Sequence, residues 1–128
     1  MTAVYINDVS AFLPNAPILN DEIDRVLGEL PNIGAKTRRI VLKNNRIRAR
    51  YYAVDPNTGA LTHSNAELAA EAVRRLHPAE NFQIEDIECL CCGTATPDLL
   101  LPGQGLMVLG KLAIPECEVM TAAGICIS

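Results

Sequence analysis

The 128-residue sequence lacks the features that assign a chain at once to a membrane, secreted or nucleic-acid-binding class. No stretch approaches the roughly 20 consecutive apolar residues that a membrane-spanning helix needs. The first ten residues lack the basic and then apolar order of a signal peptide. There is no excess of positive charge, because the net charge is −4, so nothing attracts the whole chain to nucleic acid or anionic lipid.

What is present fits a folded domain. Apolar residues make up 49% of the chain and charged residues 20%, which is the balance of a folded protein rather than a disordered one. The five cysteines cannot all pair within the chain. Without a signal peptide they indicate reduced thiols in the cytoplasm. We therefore expect one domain, or part of one, over residues 1–128.

Acidic residues are missing from one segment, residues 36–50, which holds seven of the eleven basic residues. One interpretation is a solvated basic face. The other is an anion site for ligand phosphates or for an acidic protein partner. The sequence leaves both open.

The hydrophobic pattern predicts strands that alternate with helices, and hence an α/β fold in which helices pack on a mixed sheet. Asn20 is expected to cap a short helix, and Ser64 with Glu67 forms a capping box for a longer one that Pro78 ends. A further helix is predicted over residues 103–112. Strands are predicted over residues 4–12, 47–54, 87–92 and 118–122.

The clustered thiols Cys89, Cys91 and Cys92 fall in one predicted strand covered on both faces, so we expect core packing there rather than a metal site. His63 and His77 flank the long predicted helix, where capping and surface roles are commoner than catalysis.

Cys126 is the candidate nucleophile. It follows a predicted strand through the small residues 121–124, which permit a tight turn into a helix. The amides and dipole at the N-terminus of such a helix would stabilise a thiolate and an oxyanion. A buried structural cysteine is the alternative.

Several motifs carry a family resemblance in order along the chain. Residues 20–22 (Asn-Asp-Glu) resemble "TNDEL", residues 45–50 (NRIRAR) resemble "TGIRERR", residues 93–98 (GTATPD) are similar to "ATSTPD", and residues 119–126 (VMTAAGIC) resemble "FDVxAAC". Together they resemble the N-terminal portion of the β-ketoacyl-acyl-carrier-protein synthase III family in the thiolase superfamily. Arg46 stands where that pattern has glycine.

The resemblance implies a fold and an activity. The fold would be the N-terminal part of a thiolase-like αβαβα arrangement, with residues 1–128 a partial domain truncated just after the catalytic Cys126. The whole protein would form an acyl-cysteine and catalyse decarboxylative Claisen condensation in fatty acid or secondary-metabolite synthesis. The family's catalytic His and Asn would lie downstream, so we expect the fragment alone to be inactive.

The resemblance also implies the binding sites and partners. Asn44, Arg46 and Arg48 would bind the coenzyme A or carrier-protein arm, and Leu101 would shape the acyl pocket across a homodimer. The thioesters are substrates, and no cofactor, metal, nucleic acid or membrane is expected. The alternative is a non-catalytic relative that binds an acyl carrier protein or completes a heteromer.

Overall fold

The computed structural model describes residues 3–28 and 34–124. These residues divide into two compact units, one formed by residues 3–12 and 64–124 and the other by residues 13–28 and 34–63. No helix in the described ranges is long and apolar enough to cross a membrane.

The unit of residues 64–124 is a strand–helix–strand arrangement with an additional helix. Its elements are helix α3 (Asn65–Val73), a 3₁₀ turn (Ile84–Asp86), strand β3 (Cys89–Thr94), helix α4 (Gln104–Leu112) and strand β4 (Glu118–Ala123). Strands β3 and β4 pair in parallel, and the register runs from Cys89 opposite Glu118 to Thr94 opposite Ala123. Helices α3 and α4 pack together and α4 also contacts both strands, so this unit is an α/β layer.

The core of this unit lies between the helices and one face of the sheet. It consists of five buried side chains: Ala66, Ala70, Leu90, Val108 and Leu112. Gly105 lets α4 approach β4 closely, since a Cβ there would lie 2.6 Å from Val119 Cγ1 and 2.7 Å from Thr121 Oγ1. Its amide donates a hydrogen bond to Thr121 Oγ1 at 3.0 Å.

The start of α3 is capped as the sequence predicts. Ser64 Oγ accepts from the Glu67 amide at 3.2 Å, and Glu67 Oε2 accepts from the Ser64 amide at 2.8 Å. The Asp98 carboxylate accepts from the next two free amides, those of Asn65 and Ala66, each at 2.8 Å. The prediction that Pro78 ends the helix is wrong, because regular helix ends at Val73.

The unit of residues 13–63 contains short elements. They are strand β1 (Ile18–Leu19), helix α1 (Asp24–Leu27), helix α2 (Ala35–Asn44) and strand β2 (Ala49–Arg50). Strands β1 and β2 pair antiparallel, with Ile18 opposite Arg50. The strand predicted over residues 47–54 is therefore mostly wrong, since only two of its residues form a ladder, and α2 was not predicted at all.

Two further predictions need correction. Residues 4–12 form no strand in the described structure, and their apolar side chains are exposed, with Val4 at 93% and Ile6 at 86%. High β-propensity is not enough without a partner strand to take the backbone hydrogen bonds. Asn20 does not cap α1, because the residue at that cap is Ile23.

The prediction of core packing is wrong for Cys89 and Cys91, whereas Cys92 is half-buried and packs against the core. Among the described residues, strand β3 is covered on the face that carries Leu90, so Leu90 is buried while Cys89 and Cys91 are exposed. Alternate side chains of a strand point to opposite faces, and the helices lie against the Leu90 face.

Candidate anion-binding site

A cavity of about 980 Å³ opens in the unit of residues 13–63, beside helix α2. The helix contributes two adjacent rows to its wall, because side chains four residues apart lie on the same side of a helix. Arg38 and Leu42 form one row, and Arg39 and Lys43 form the other. The Arg39–Lys43 row is therefore cationic, and the Arg38–Leu42 row beside it is partly apolar.

The chain that follows α2 completes this wall. Arg46 has a φ of +55°, the left-handed region that turns the backbone sharply, and its side chain lines the cavity together with Ile47 and Arg48. L-residues enter this region at a cost of about 1–2 kcal/mol, which glycine avoids.

Asn20 ties the opposite wall to this turn. Its Nδ2 donates to the Ile47 carbonyl at 2.7 Å, and its Oδ1 accepts from Arg50 Nη1 at 2.9 Å. Asn20 thus cross-links the residues after β1 to the residues after α2. It shapes the cavity instead of capping a helix.

Arg38 is engaged by Asp24 of helix α1. Both guanidinium Nη atoms donate to the two carboxylate oxygens, and Nη2 lies 2.6 Å from Oδ2. The two side chains are 24% and 33% exposed. The hydrogen bonds from Arg38, supported by its charge, lower the pKa of Asp24 although partial burial acts in the opposite direction.

The other four cations of the cavity have no such partner. Within the described residues, no carboxylate lies within ion-pair distance of the set Arg39, Lys43, Arg46 and Arg48. Asp21 is the one acid among those lining residues that the structure describes. The site is therefore cationic with an apolar part made by Leu19, Leu42 and Ile47, which suits an anion carried on an uncharged stem.

The predicted site residues fall in different places. Arg46 and Arg48 line the cavity, whereas Asn44, the last residue of α2, is not among its lining residues. Leu101 lies in the other unit, on an exposed loop before α4, where it is 86% exposed. Cys126 lies outside the described residues.

The remaining thiols and histidines form no second centre in the described ranges. Cys89 Sγ and Cys91 Sγ lie 3.7 Å apart, and the contact with Cys91 raises the pKa of Cys89. Burial raises the pKa of Cys92. No group of three His, Cys, Asp or Glu side chains among the described residues could hold a metal ion. His63 Nδ1 lies 2.9 Å from Thr62 Oγ1, and the His77 amide donates to Asp8 at 2.6 Å.

Comparison with known proteins identifies relatives, although no family model matches the chain. β-Ketoacyl-[acyl-carrier-protein] synthase III of Koribacter versatilis is 26% identical over 87% of this chain and 29% of its own length. The enzyme of that name from Sphingopyxis alaskensis is 31% identical over 67% of this chain and 25% of its own length. A solved tetronic acid condensing enzyme is 30% identical, with a TM-score of 0.70 over 92% of this chain and 35% of the other.

The chain is a thiolase-fold relative of β-ketoacyl-[acyl-carrier-protein] synthase III. A variant of OleA from Xanthomonas campestris shares the fold at 22% identity, with a TM-score of 0.67 over 92% of this chain and 33% of the other. The predicted α/β fold class and the family resemblance are thereby confirmed. The chain spans a quarter to a third of the length of the curated relatives it matches.

The synthase III resemblance also explains the geometry at Arg46. The motif that residues 45–50 resemble has a glycine at this position, and the backbone here adopts the conformation that favours glycine. In this chain a cation that lines the cavity takes the place of that glycine. Asp24 and Arg38 were missed from the sequence because their pairing joins residues fourteen positions apart.

Proposed function

We propose that the whole protein is a condensing enzyme in which Cys126 accepts an acyl group from a thioester of coenzyme A or of a carrier protein. The Cys126 thiolate would attack the thioester carbonyl, and the thiol of the donor would leave. A malonyl-type extender would then lose CO₂, and its carbanion would attack the acyl-cysteine. A carbon–carbon bond forms and the Cys126 thiolate is released.

The observation that supports this most directly is the cavity beside α2, where four cations have no carboxylate partner among the described residues. Both donor types carry the same phosphopantetheine arm, a phosphate joined to an uncharged chain that ends in the thioester. We propose that Arg46 and Arg48 bind the phosphate part, as the family resemblance implies for these positions. Asn44, which does not line the cavity, would act from the end of α2.

The proposal extends to the assembly and the setting. We propose that Leu101 contributes to an acyl pocket at a homodimer contact, since its exposed loop presents three successive leucines at residues 99–101. We also propose that the protein acts in the cytoplasm, in fatty acid or secondary-metabolite synthesis.

The test is acyl transfer to the full-length protein from an acyl-coenzyme A, followed by mass spectrometry of the cysteine peptides. We expect the acyl group on Cys126 and none in a Cys126→Ala variant. Arg48→Gln should raise the donor concentration needed for half-maximal acylation about tenfold, the equivalent of about 1.4 kcal/mol of lost binding.

Arg46→Gly separates ligand binding from folding. It removes a cation while placing glycine at a φ of +55°, so we expect weaker donor binding without loss of stability. Arg25→Gln is the matched control, because Arg25 pairs with Glu22 at 3.4 Å and is not among the residues lining the cavity. Acylation that persists in Cys126→Ala refutes the nucleophile. Donor binding without acylation of wild-type protein favours the non-catalytic carrier-binding module.

A further inference from the structure

The charge of the cavity is distributed unevenly, and Asp24 is responsible. Five cationic side chains line the cavity, yet one of them, Arg38, is held by both oxygens of a carboxylate. The Arg38–Leu42 row of α2 is therefore close to neutral in charge. The neighbouring Arg39–Lys43 row carries two cations without a carboxylate partner in the described residues.

The contact between Asp24 and Arg38 maintains this uneven distribution of positive charge. A bidentate guanidinium–carboxylate contact fixes the direction of the arginine as well as its charge. The contact is partly buried, with the two side chains 24% and 33% exposed, so solvent screens it less than a fully exposed pair. It also joins α1 to α2 across fourteen residues of sequence.

A ligand would meet two different surfaces. A phosphate is attracted most strongly beside Arg39 and Lys43, where no carboxylate of the described residues competes for the two cations. An uncharged stem binds most favourably along Leu42, because the charge of the adjacent Arg38 is already balanced by Asp24. A compact polyanion has no uncharged stem, so it makes no favourable contact with the neutral Arg38–Leu42 row.

We propose that Asp24 is a specificity-determining residue: by holding Arg38, it makes the cavity select a phosphate joined to an uncharged arm over a bare polyanion. This inference rests on the proposed function, because it concerns the same cavity. It assigns a role to a side chain that is not among the residues lining the cavity.

The experiment compares two probes by isothermal titration calorimetry of the chain: phosphopantetheine, which has the uncharged arm, and inorganic pyrophosphate, which has none. Wild-type chain should prefer phosphopantetheine. Asp24→Asn removes the negative charge that the Asp24 carboxylate holds against Arg38. It should therefore tighten pyrophosphate binding about threefold to fivefold at low salt, the effect of a unit change in charge about 5 Å away in water. Phosphopantetheine binding should change less, so the selectivity ratio, which is the affinity for phosphopantetheine divided by that for pyrophosphate, falls.

Glu22→Gln is the matched control. It removes the same charge two residues away but releases Arg25, which does not line the cavity, so the selectivity ratio should stay at its wild-type value. The double variant Asp24→Asn/Arg38→Gln should restore the wild-type ratio. If Asp24→Asn unfolds by circular dichroism, Arg38→Lys replaces it, because lysine keeps the charge but cannot form the two-pronged contact.

The outcomes separate the two ideas. An unchanged ratio in Asp24→Asn, or weaker pyrophosphate binding, overturns the role of Asp24 while leaving the anion site intact. Wild-type chain that binds neither probe refutes the proposed site and, with it, the selectivity assigned to Asp24. Failure of every variant to bind either probe overturns both.

Discussion

Glu67 connects the two helices of its unit through a single carboxylate. It completes the capping box of α3 through the Ser64 amide, and its Oε1 lies 2.8 Å from Lys111 Nζ near the end of α4. The hydrogen bond from Lys111, followed by those from Ser64, lowers the pKa of Glu67 to about 2. One carboxylate therefore links the first turn of one helix to the last turn of another.

This pKa shift predicts a defined pH dependence. Because the folded-state pKa of about 2 lies below the ordinary 4.5, the contribution of Glu67 to stability is complete above pH 4.5. It is lost as the pH falls from 4.5 towards 2. Glu67→Gln should be less stable than wild type at pH 7, and the difference should shrink through this window.

Urea unfolding at a series of pH values measures this difference. Glu116→Gln is the control, since it removes a carboxylate outside this network. A stability difference between wild type and Glu67→Gln that stays constant from pH 7 to pH 2.5 would contradict the assignment.

At the scale of elements, local signals decided what could be predicted. Helix α3 has a capping box, and α4 and β4 have clear apolar patterns, so the sequence placed all three within a few residues. Helix α2 was missed because its N-cap residue, Gly34, provides no side-chain cap and because polar residues dominate the helix. Strands of two residues leave no detectable period.

The cavity residues, too, divide into those that a local sequence pattern predicts and those that depend on contacts between elements. The run of basic residues pointed to Arg46 and Arg48, and both line the cavity. Its apolar part and the neutralisation of Arg38 depend on contacts between β1, α1 and α2, which no local pattern contains. The roles of Asn44, Leu101 and Cys126 remain predictions.

The packing of α4 on β4 predicts opposite effects for two glycines of one helix. Gly105→Ala places a methyl group 2.6 Å from Val119 Cγ1, so it should destabilise the chain by about 1–3 kcal/mol through overpacking. The methyl group of Gly110→Ala meets no atom of the described residues within 4 Å, so this substitution should stabilise the chain by about 0.5–1 kcal/mol through helix propensity.

Chemical denaturation of the two variants provides the comparison, because each serves as the control for the other. Equal effects of the two substitutions would mean that helix propensity, and not contact with β4, governs position 105.

At the scale of the whole molecule, exposed apolar side chains stand out. Leu100 and Leu101 are 88% and 86% exposed on the loop before α4. Exposed apolar patches commonly mark protein–protein contacts. In the proposed homodimer, Leu101→Asp should raise the dimer dissociation constant tenfold or more, since burying a leucine contributes about 1.5–3 kcal/mol.

Sedimentation velocity of the full-length protein measures this association. Leu61→Asp is the control, because Leu61 is 78% exposed but belongs to the unit of residues 13–63. A homodimer that tolerates Leu101→Asp as well as Leu61→Asp would remove Leu101 from the contact.

The parallel pairing of β3 with β4 has a consequence during synthesis on the ribosome. Cys89 is made about thirty residues before its partner Glu118, so at about 5–20 residues per second β3 exists without β4 for about 1.5 to 6 seconds. Helix α3 is complete by then and can cover Leu90, but the thiol-bearing face and both edges of β3 stay open. The nascent chain therefore offers chaperones, or neighbouring nascent chains, an unpaired strand at this stage.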